Sequence, residues 1–437
     1  MTRYHLISAL GIFLLPGVAW IFSTDRRRMN WRVIGWGILL QILFALFVFK
    51  VPAGTKVFLA VNSGVVKLLD SASAGTLFVF GRLGLPPGAV NASGESSLGF
   101  ILAFQAFPTI VFFSALMSIL YYSNVLPLII RGFAVVFTKL MRVSGAESMC
   151  TAANIFVGVE SALTIGPYIE RMTISELCTA LTSGMATVAS NVLALYVFCL
   201  AKDFPSIAGH LVSASILAAP ATLVMSKILL PESGQPETLG VNVRLEYSRE
   251  KSLFEAIING ANAGLKLIGG IVALLLAVLG LVALFELLLG AVGAKINLLA
   301  GCGIDWSLKG LLGYVFYPFT LMLGIPPSEA WTAAGIIGER TVATEVAGYR
   351  DLAAAMAAGT LSGRSAVIVA YALCGFAHVA SLAIFVGGFS ALAPSRARDL
   401  SRVGVRALVA ATFACLQIAA VAGVFAGDNS ILTAGSR

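Results

Sequence analysis

Two carboxylates stand where an apolar chain would ordinarily exclude them. Glu160 and Glu345 each lie in a long hydrophobic stretch broken by glycine and proline: Gly158 and Gly166-Pro167 around the first, Gly324, Pro326-Pro327 and Glu339-Arg340 before the second. Each acid is followed by a second break carrying polar groups. Ser190-Asn191 begins 30 residues after Glu160, and Gly375, His378 and Ser381 lie 30 to 36 residues after Glu345. An acid at membrane depth costs roughly 2.5–3.5 kcal/mol on insertion scales, so such groups bind solute or ion, or are held in a salt bridge. Arg340 is the nearest salt-bridge candidate for the second acid. His378 can be a core histidine, a hydrogen-bond partner for a solute, or a titrating group for proton coupling.

The elements that must position these groups follow from composition. Of 437 residues, 58% are hydrophobic and 11% charged, against about 25% charged in a soluble domain. The mean hydropathy is +0.93. A soluble globular enzyme, a disordered chain and a disulfide-stapled secreted module are excluded. The fold class expected is an all-α polytopic membrane protein of about eight transmembrane helices plus two re-entrant hairpins, arranged as an inverted repeat. The spans fall at about 4–23, 33–51, 98–122, the later part of 150–200, 207–230, 263–291, 365–392 and 407–425, with the hairpins within 150–200 and 311–356. The stretch 53–91, with Lys56, Lys67, Asp70 and Arg82, reads as an outer interfacial helix.

The organisation expected is 1–122 for N-terminal scaffold helices, 123–230 for the first transport-domain half, 231–310 for a cytoplasmic loop and long scaffold helix, and 311–437 for the second half. The net charge of +8 reflects basic loops. Arg26, Arg27, Arg28 and Arg32, the loop with Arg244 and Arg249, and Arg396, Arg398, Arg402 and Arg406 mark the inner side, which leaves both termini outside. No basic stripe with interleaved aromatics occurs, so nucleic acid is not an expected partner. None of the six cysteines forms a CxxC pair, and three histidines cannot build a histidine-rich metal site. There is no Walker A motif. Glu286, alone in an apolar helix, reads as a bundle-facing structural acid. Glu147 and Glu170-Arg171 read as solvated interfacial groups.

Interrupted segments in corresponding halves are the sequence mark of a carrier whose site lies at the repeat interface. Freed backbone groups at such breaks are tolerated only where they face protein, water, ion or solute. The reading is therefore a secondary transporter, not an enzyme and without a cofactor. Two other readings are a non-transporting sensor or gate of the same fold, and an intramembrane metal-dependent enzyme using Glu160, Glu345 and His378.

At these residues the chain resembles the concentrative nucleoside transporter family, from about Phe104 to Val424. The resemblance is carried by Phe104-Gln105 through Pro108-Thr109-Ile110, by Ala153-Asn154-Ile155-Phe156-Val157-Gly158, by Gly184-Met185-Ala186-Thr187-Val188-Ala189, and by Ala372-Leu373-Cys374-Gly375-Phe376-Ala377 followed by Gly387-Gly388. It implies a trimeric, elevator-type symporter in the membrane, bacterial inner membrane by expectation, importing nucleosides or a related polar solute on a sodium or proton gradient. It implies sodium ligands at Asn154, Val157, Thr187 and Val188. It implies solute contacts at Gly158, Val159, Glu160, Val192, Glu345, Phe376, His378 and Ser381, with Glu345 and Ser381 on the ribose side. The sequence departs from the family at three points. Gly158-Val159-Glu160-Ser161-Ala162-Leu163 lacks the glutamine and threonine of the family's Gly-Gln-Thr-Glu-Ala-Pro, which would read the base. Thr344-Glu345-Val346 stands for Asn-Glu-Phe, and His378 stands for an asparagine.

Overall fold

The computed structural model describes residues 2–86, 88–91, 94–201, 204–243, 250–301 and 303–427. Arg244 and Arg249 of the polar loop lie outside them. Among the described residues the chain is helical, with two isolated β-bridges and no strand. The first five helices are α1 (Arg3–Ile21), α2 (Trp31–Lys50), α3 (Pro52–Phe80), α4 (Leu102–Gln105) and α5 (Phe107–Tyr122). Then come α6 (Val125–Met141), α7 (Gly145–Asn154), α8 (Gly166–Ile169), α9 (Ile174–Ala186), α10 (Ser190–Leu200), α11 (Ile207–Leu229) and α12 (Leu253–Ala300). The last six are α13 (Leu308–Met322), α14 (Pro327–Ala343), α15 (Glu345–Ala357), α16 (Gly363–Leu373), α17 (Val379–Leu392) and α18 (Ala397–Phe425).

Among the described residues, eight helices are long and apolar enough to cross a membrane. The number matches the expectation, but the membership differs. Pro52–Gly84 belongs to the eight, while the expected span 365–392 divides into α16 and α17, each shorter than a span. The division has a local cause. Gly375 has φ +106°, and a Cβ there would sit 2.6 Å from the carbonyl oxygen of Ala186. Only glycine lets the break in one half approach the break in the other so closely.

α18 packs on α1, α9, α11 and α16, and α2 packs on α11, so these helices surround the broken segments. α12 instead pairs with α5. Cβ atoms on Gly260 and Gly264 would meet the Cα atoms of Ala115 and Val111 at 2.8 Å, the close backbone approach that small residues permit. α12 has 48 residues, about 72 Å at 1.5 Å each and more than twice the hydrocarbon thickness. The small-residue stripe and partly buried residues such as Leu267, Ile271 and Leu275 meet the body, and most of the other large apolar side chains of α12 are exposed. Glu286 lies on that exposed surface and does not face the bundle.

Glu147 also departs from expectation. It is 1% exposed and forms a buried ion pair with Lys227 of α11, which is itself 6% exposed. The sequence places Glu147 third in α7 after Ser144. The Ser144 hydroxyl accepts from the Glu147 backbone N–H at 3.1 Å, and Glu147 Oε2 accepts from the Ser144 N–H at 3.2 Å. This capping box holds the carboxylate against the body instead of in solvent. Lys227 further donates to Ser175 Oγ at 2.9 Å and to Glu232 at 3.2 Å. Glu170 and Arg171 do lie on the surface, with Arg171 paired to Glu237 at 2.7 Å.

Breaking this pair from one side leaves a buried unpaired charge, a loss of about 3–5 kcal/mol. Thermal melts of the purified protein should show Lys227→Met and Glu147→Gln each melting well below wild type. The double variant should recover much of the difference.

Candidate functional site

Four helices stop and restart at the centre of the body. α7 ends at Asn154, and α9 ends at Ala186 and resumes as α10 at Ser190. α14 ends at Ala343 and α15 starts at Glu345; α16 ends at Leu373 and α17 starts at Val379. The breaks are stitched within each half. The Ser190 N–H donates to the Phe156 carbonyl at 2.9 Å, and Cys415 of α18 donates its S–H to the Cys374 carbonyl at 2.7 Å.

The N-termini of α10, α15 and α17 open on one narrow cleft of about 80 Å³. All eight expected solute residues line it. Gly158, Val159 and Glu160 come from the segment after α7, Val192 from α10, and Glu345 from α15; Phe376, His378 and Ser381 flank the start of α17. The opposite wall is apolar and comes from α12, through residues such as Leu267 and Ile271.

Glu345 occupies the first turn of α15, where the helix dipole favours a negative charge. The preceding Thr344 has φ +113°, a region that side-chain-bearing residues rarely adopt, and this turns the chain so that α15 begins at the cleft. Glu345 is 3% exposed. Its Oε1 accepts from the Tyr196 hydroxyl at 2.6 Å, and its Oε2 lies 2.9 Å from His378 Nε2 without an aligned hydrogen bond. His378 is the N-cap of α17: its Nδ1 accepts from the Ser381 backbone N–H at 3.2 Å. The ring is thereby fixed with Nε2 toward the acid. The Ser381 hydroxyl accepts from the His378 N–H at 3.3 Å and donates within its own turn, to the carbonyl of His378 at 2.7 Å or to that of Phe376.

Arg340 does not pair with Glu345. It is fully buried and donates to the carbonyl of Ala372 at 2.9 Å, in the last turn of α16. Glu160 is exposed to the cleft and has no ion pair among the described residues. Asn191 lines the same cleft. Its Nδ2 donates to Ser114 of α5 at 3.4 Å, and its Oδ1 is buried without a partner.

The four expected cation ligands sit at the C-terminal ends of α7 and α9. Asn154, Val157, Thr187 and Val188 are all buried. Asn154 Nδ2 donates to Cys150 O at 3.0 Å and to Ser183 Oγ at 3.1 Å, and the Thr187 hydroxyl donates to Ser183 O at 2.7 Å. Asn154 Oδ1 is buried with no partner. An orphan amide oxygen beside two helix C-termini, where the dipole is negative, fits a hard monovalent cation. Ser183 and Tyr196 escape the sequence reading. Tyr196 lies one helical turn beyond Val192 on the same face of α10, and that i+4 spacing was the available signal.

These features define a polytopic membrane carrier with paired broken helices around a central polar cleft. Models of the Na+ dependent nucleoside transporter match the chain at its N-terminus over residues 10–83 and at its C-terminus over 210–423, and a nucleoside-recognition model matches 103–203. Nucleoside permease NupC of Helicobacter pylori is 34% identical over 98% of this chain and 100% of its own length. The transporter YutK of Bacillus subtilis, uncharacterised, is 36% identical over 95% of this chain and 98% of its own. Solute carrier family 28 member 3 of Eptatretus stoutii is 34% identical over 96% of this chain, which spans 60% of that longer relative. The structure of CNTnw in an inward-facing substrate-bound state superposes with a TM-score of 0.85 at 34% identity, covering 97% of this chain and 98% of that one. A CNTnw variant in an outward-facing state also gives 0.85, at 34% identity and the same coverage of each chain. The chain therefore belongs to the concentrative nucleoside transporter family. The relatives it matches are transporters and permeases, not enzymes.

The Tyr196 hydroxyl bonds a buried carboxylate, and a hydrogen bond to a charged group contributes about 1.5–3 kcal/mol. Tyr196→Phe should weaken solute binding by at least tenfold while the protein remains folded. Equilibrium binding to the purified variant, beside its melting curve, checks this.

Proposed function

We propose that the chain is a cation-coupled symporter that brings nucleosides, or a closely related polar solute, across the membrane by an elevator movement. The observation that carries this reading is the sorting of helix ends. N-termini of α10, α15 and α17 surround the cleft with Glu345, while the C-termini of α7 and α9 surround the orphan Asn154 Oδ1. Polar solute and cation thus have adjacent sites built from one set of breaks. The Glu345 carboxylate accepts hydrogen bonds from ribose hydroxyls, with Tyr196 and His378 holding its position. Val159 offers no hydrogen bond to a base, so the base is read by shape and by Glu160.

Sodium is the coupling ion of this reading, bound by Asn154, Thr187 and the carbonyls of Val157 and Val188. A cation there neutralises two helix ends and ties the segment after α7 to the α9–α10 break, which makes solute and cation binding cooperative. Relatives solved in inward- and outward-facing states support the movement. The assembly is a homotrimer in a bacterial inner membrane with both termini outside. The basic loops support that orientation, and the exposed apolar surface of α12 supports burial against lipid or neighbouring subunits.

Purified protein in liposomes should accumulate nucleosides when a sodium or proton gradient is imposed and not otherwise. Absence of gradient-driven uptake across a nucleoside and nucleobase panel sinks the nucleoside assignment. Glu345→Gln should abolish uptake without unfolding the protein. His378→Asn should change affinity or selectivity; if both stay at wild-type values, His378 is not a solute contact.

A further inference from the structure

A second cavity lies at the far ends of two helices that begin at the central cleft. α10 carries Val192 in the cleft and Val197 and Phe198 in this cavity; α15 carries Glu345 in the cleft and Arg350 in the cavity. α3 and the start of α5 close the other side. The cavity encloses about 610 Å³, of the order of a small-molecule site. It lies at the end of the body where α3 meets α11, through Asn62 and Gly209 at 2.9 Å. The loop bearing Arg26–Arg28 meets the opposite end of α11, through Thr24 and Leu229.

Its lining is not that of a packing defect. Gln105 is 2% exposed, and its Nε2 donates to the carbonyls of Leu85 at 2.8 Å and Gly99 at 2.6 Å. Its Oε1 is buried with no partner. A buried amide oxygen without a donor costs about 1–3 kcal/mol, which a ligand N–H or O–H relieves. Asp70 and Arg350 line the same cavity, and neither side chain has an ion pair or hydrogen bond among the described residues. Phe100 and Phe198 lie 5.7 Å apart between ring centroids with planes tilted 32°, an apolar surface for a planar ring. Acceptors, one guanidinium and an aromatic surface together match a solute with N–H and O–H donors, carbonyl acceptors and a flat heterocycle. A lipid chain would leave Gln105, Asp70 and Arg350 unanswered.

We propose that this cavity is a second, weaker binding site for a nucleoside, which loads there before it reaches the central cleft. The inference rests on the transport reading above. The solute would stack on Phe100 and Phe198, donate to Gln105 Oε1 and Asp70, and accept from Arg350. α10 and α15 run from this cavity to the cleft that holds Glu345.

The test is equilibrium binding of labelled uridine and guanosine to the purified full-length protein, together with uptake in liposomes. Wild type should show a tight and a weak class of site for at least one of the two. Asp70→Asn and Arg350→Gln, both at exposed positions that leave the core intact, should remove the weak class and raise half-saturating uptake roughly tenfold, the loss of a hydrogen bond to a charged group. They should leave the tight-site Kd unchanged. Gln105→Leu should act in the same direction, and Glu345→Gln should do the reverse, losing the tight class and keeping the weak one. A single class in wild type, or a weak class that persists in both Asp70→Asn and Arg350→Gln, overturns the second site while the transport reading stands. No saturable binding of either nucleoside overturns both.

Discussion

Hydrocarbon offers no partner to a backbone N–H or C=O, and this structure depends on how it meets that constraint. Helices that stop inside the body leave orphan groups that lipid cannot satisfy. Here the breaks are brought against each other instead of being spread over the bundle. The Ser190 N–H bonds the Phe156 carbonyl, and Gly375 lets one break lie directly on the Ala186 carbonyl of another. Central polarity is the consequence: groups gathered to satisfy one another also create the place where a solute and an ion can bind.

The two halves resolve their helix C-termini differently. In the second half, Arg340 supplies a fixed positive charge at the ends of α14 and α16 through the Ala372 carbonyl. In the first half, among the described residues, no lysine or arginine donates to the ends of α7 and α9, and Asn154 Oδ1 has no donor at all. A negative dipole end with an empty acceptor favours a cation. One half therefore carries its cation on its own chain, while the other leaves room for a mobile one. This difference is the physical support for placing the proposed coupling ion at the Asn154–Thr187 junction.

Much of this was readable in the sequence because charge is scarce in it. The broken regions, with Glu160, Glu345, His378 and Ser381, follow from acids, glycines and prolines set in apolar runs, while Val159, Val192 and Phe376 follow from the family resemblance. Three things were not readable, each for a physical reason. Glu147 looked interfacial because its partner, Lys227, lies 80 residues away and meets it only through packing. Glu286 looked bundle-facing because periodicity cannot show which face of α12 the body covers. Tyr196 drew no reading because its role depends on Glu345, 149 residues further on, turning into the same cleft at Thr344.

The substitution of histidine at position 378 then has a structural rationale. An N-cap must present an acceptor to the third helical N–H, and His378 Nδ1 does this toward Ser381. With Nδ1 accepting, a neutral ring carries its proton on Nε2, the atom 2.9 Å from Glu345. One side chain thus caps α17 and offers a donor to the buried acid. An asparagine that used its oxygen for the cap has a shorter reach for its amide, which leaves that donor nearer the helix end. The imidazole brings Nε2 to 2.9 Å from Glu345 Oε2. Because the cap forbids a ring flip without loss of the Ser381 bond, the donor direction is fixed, and the shape of the cleft beside Glu345 is fixed with it.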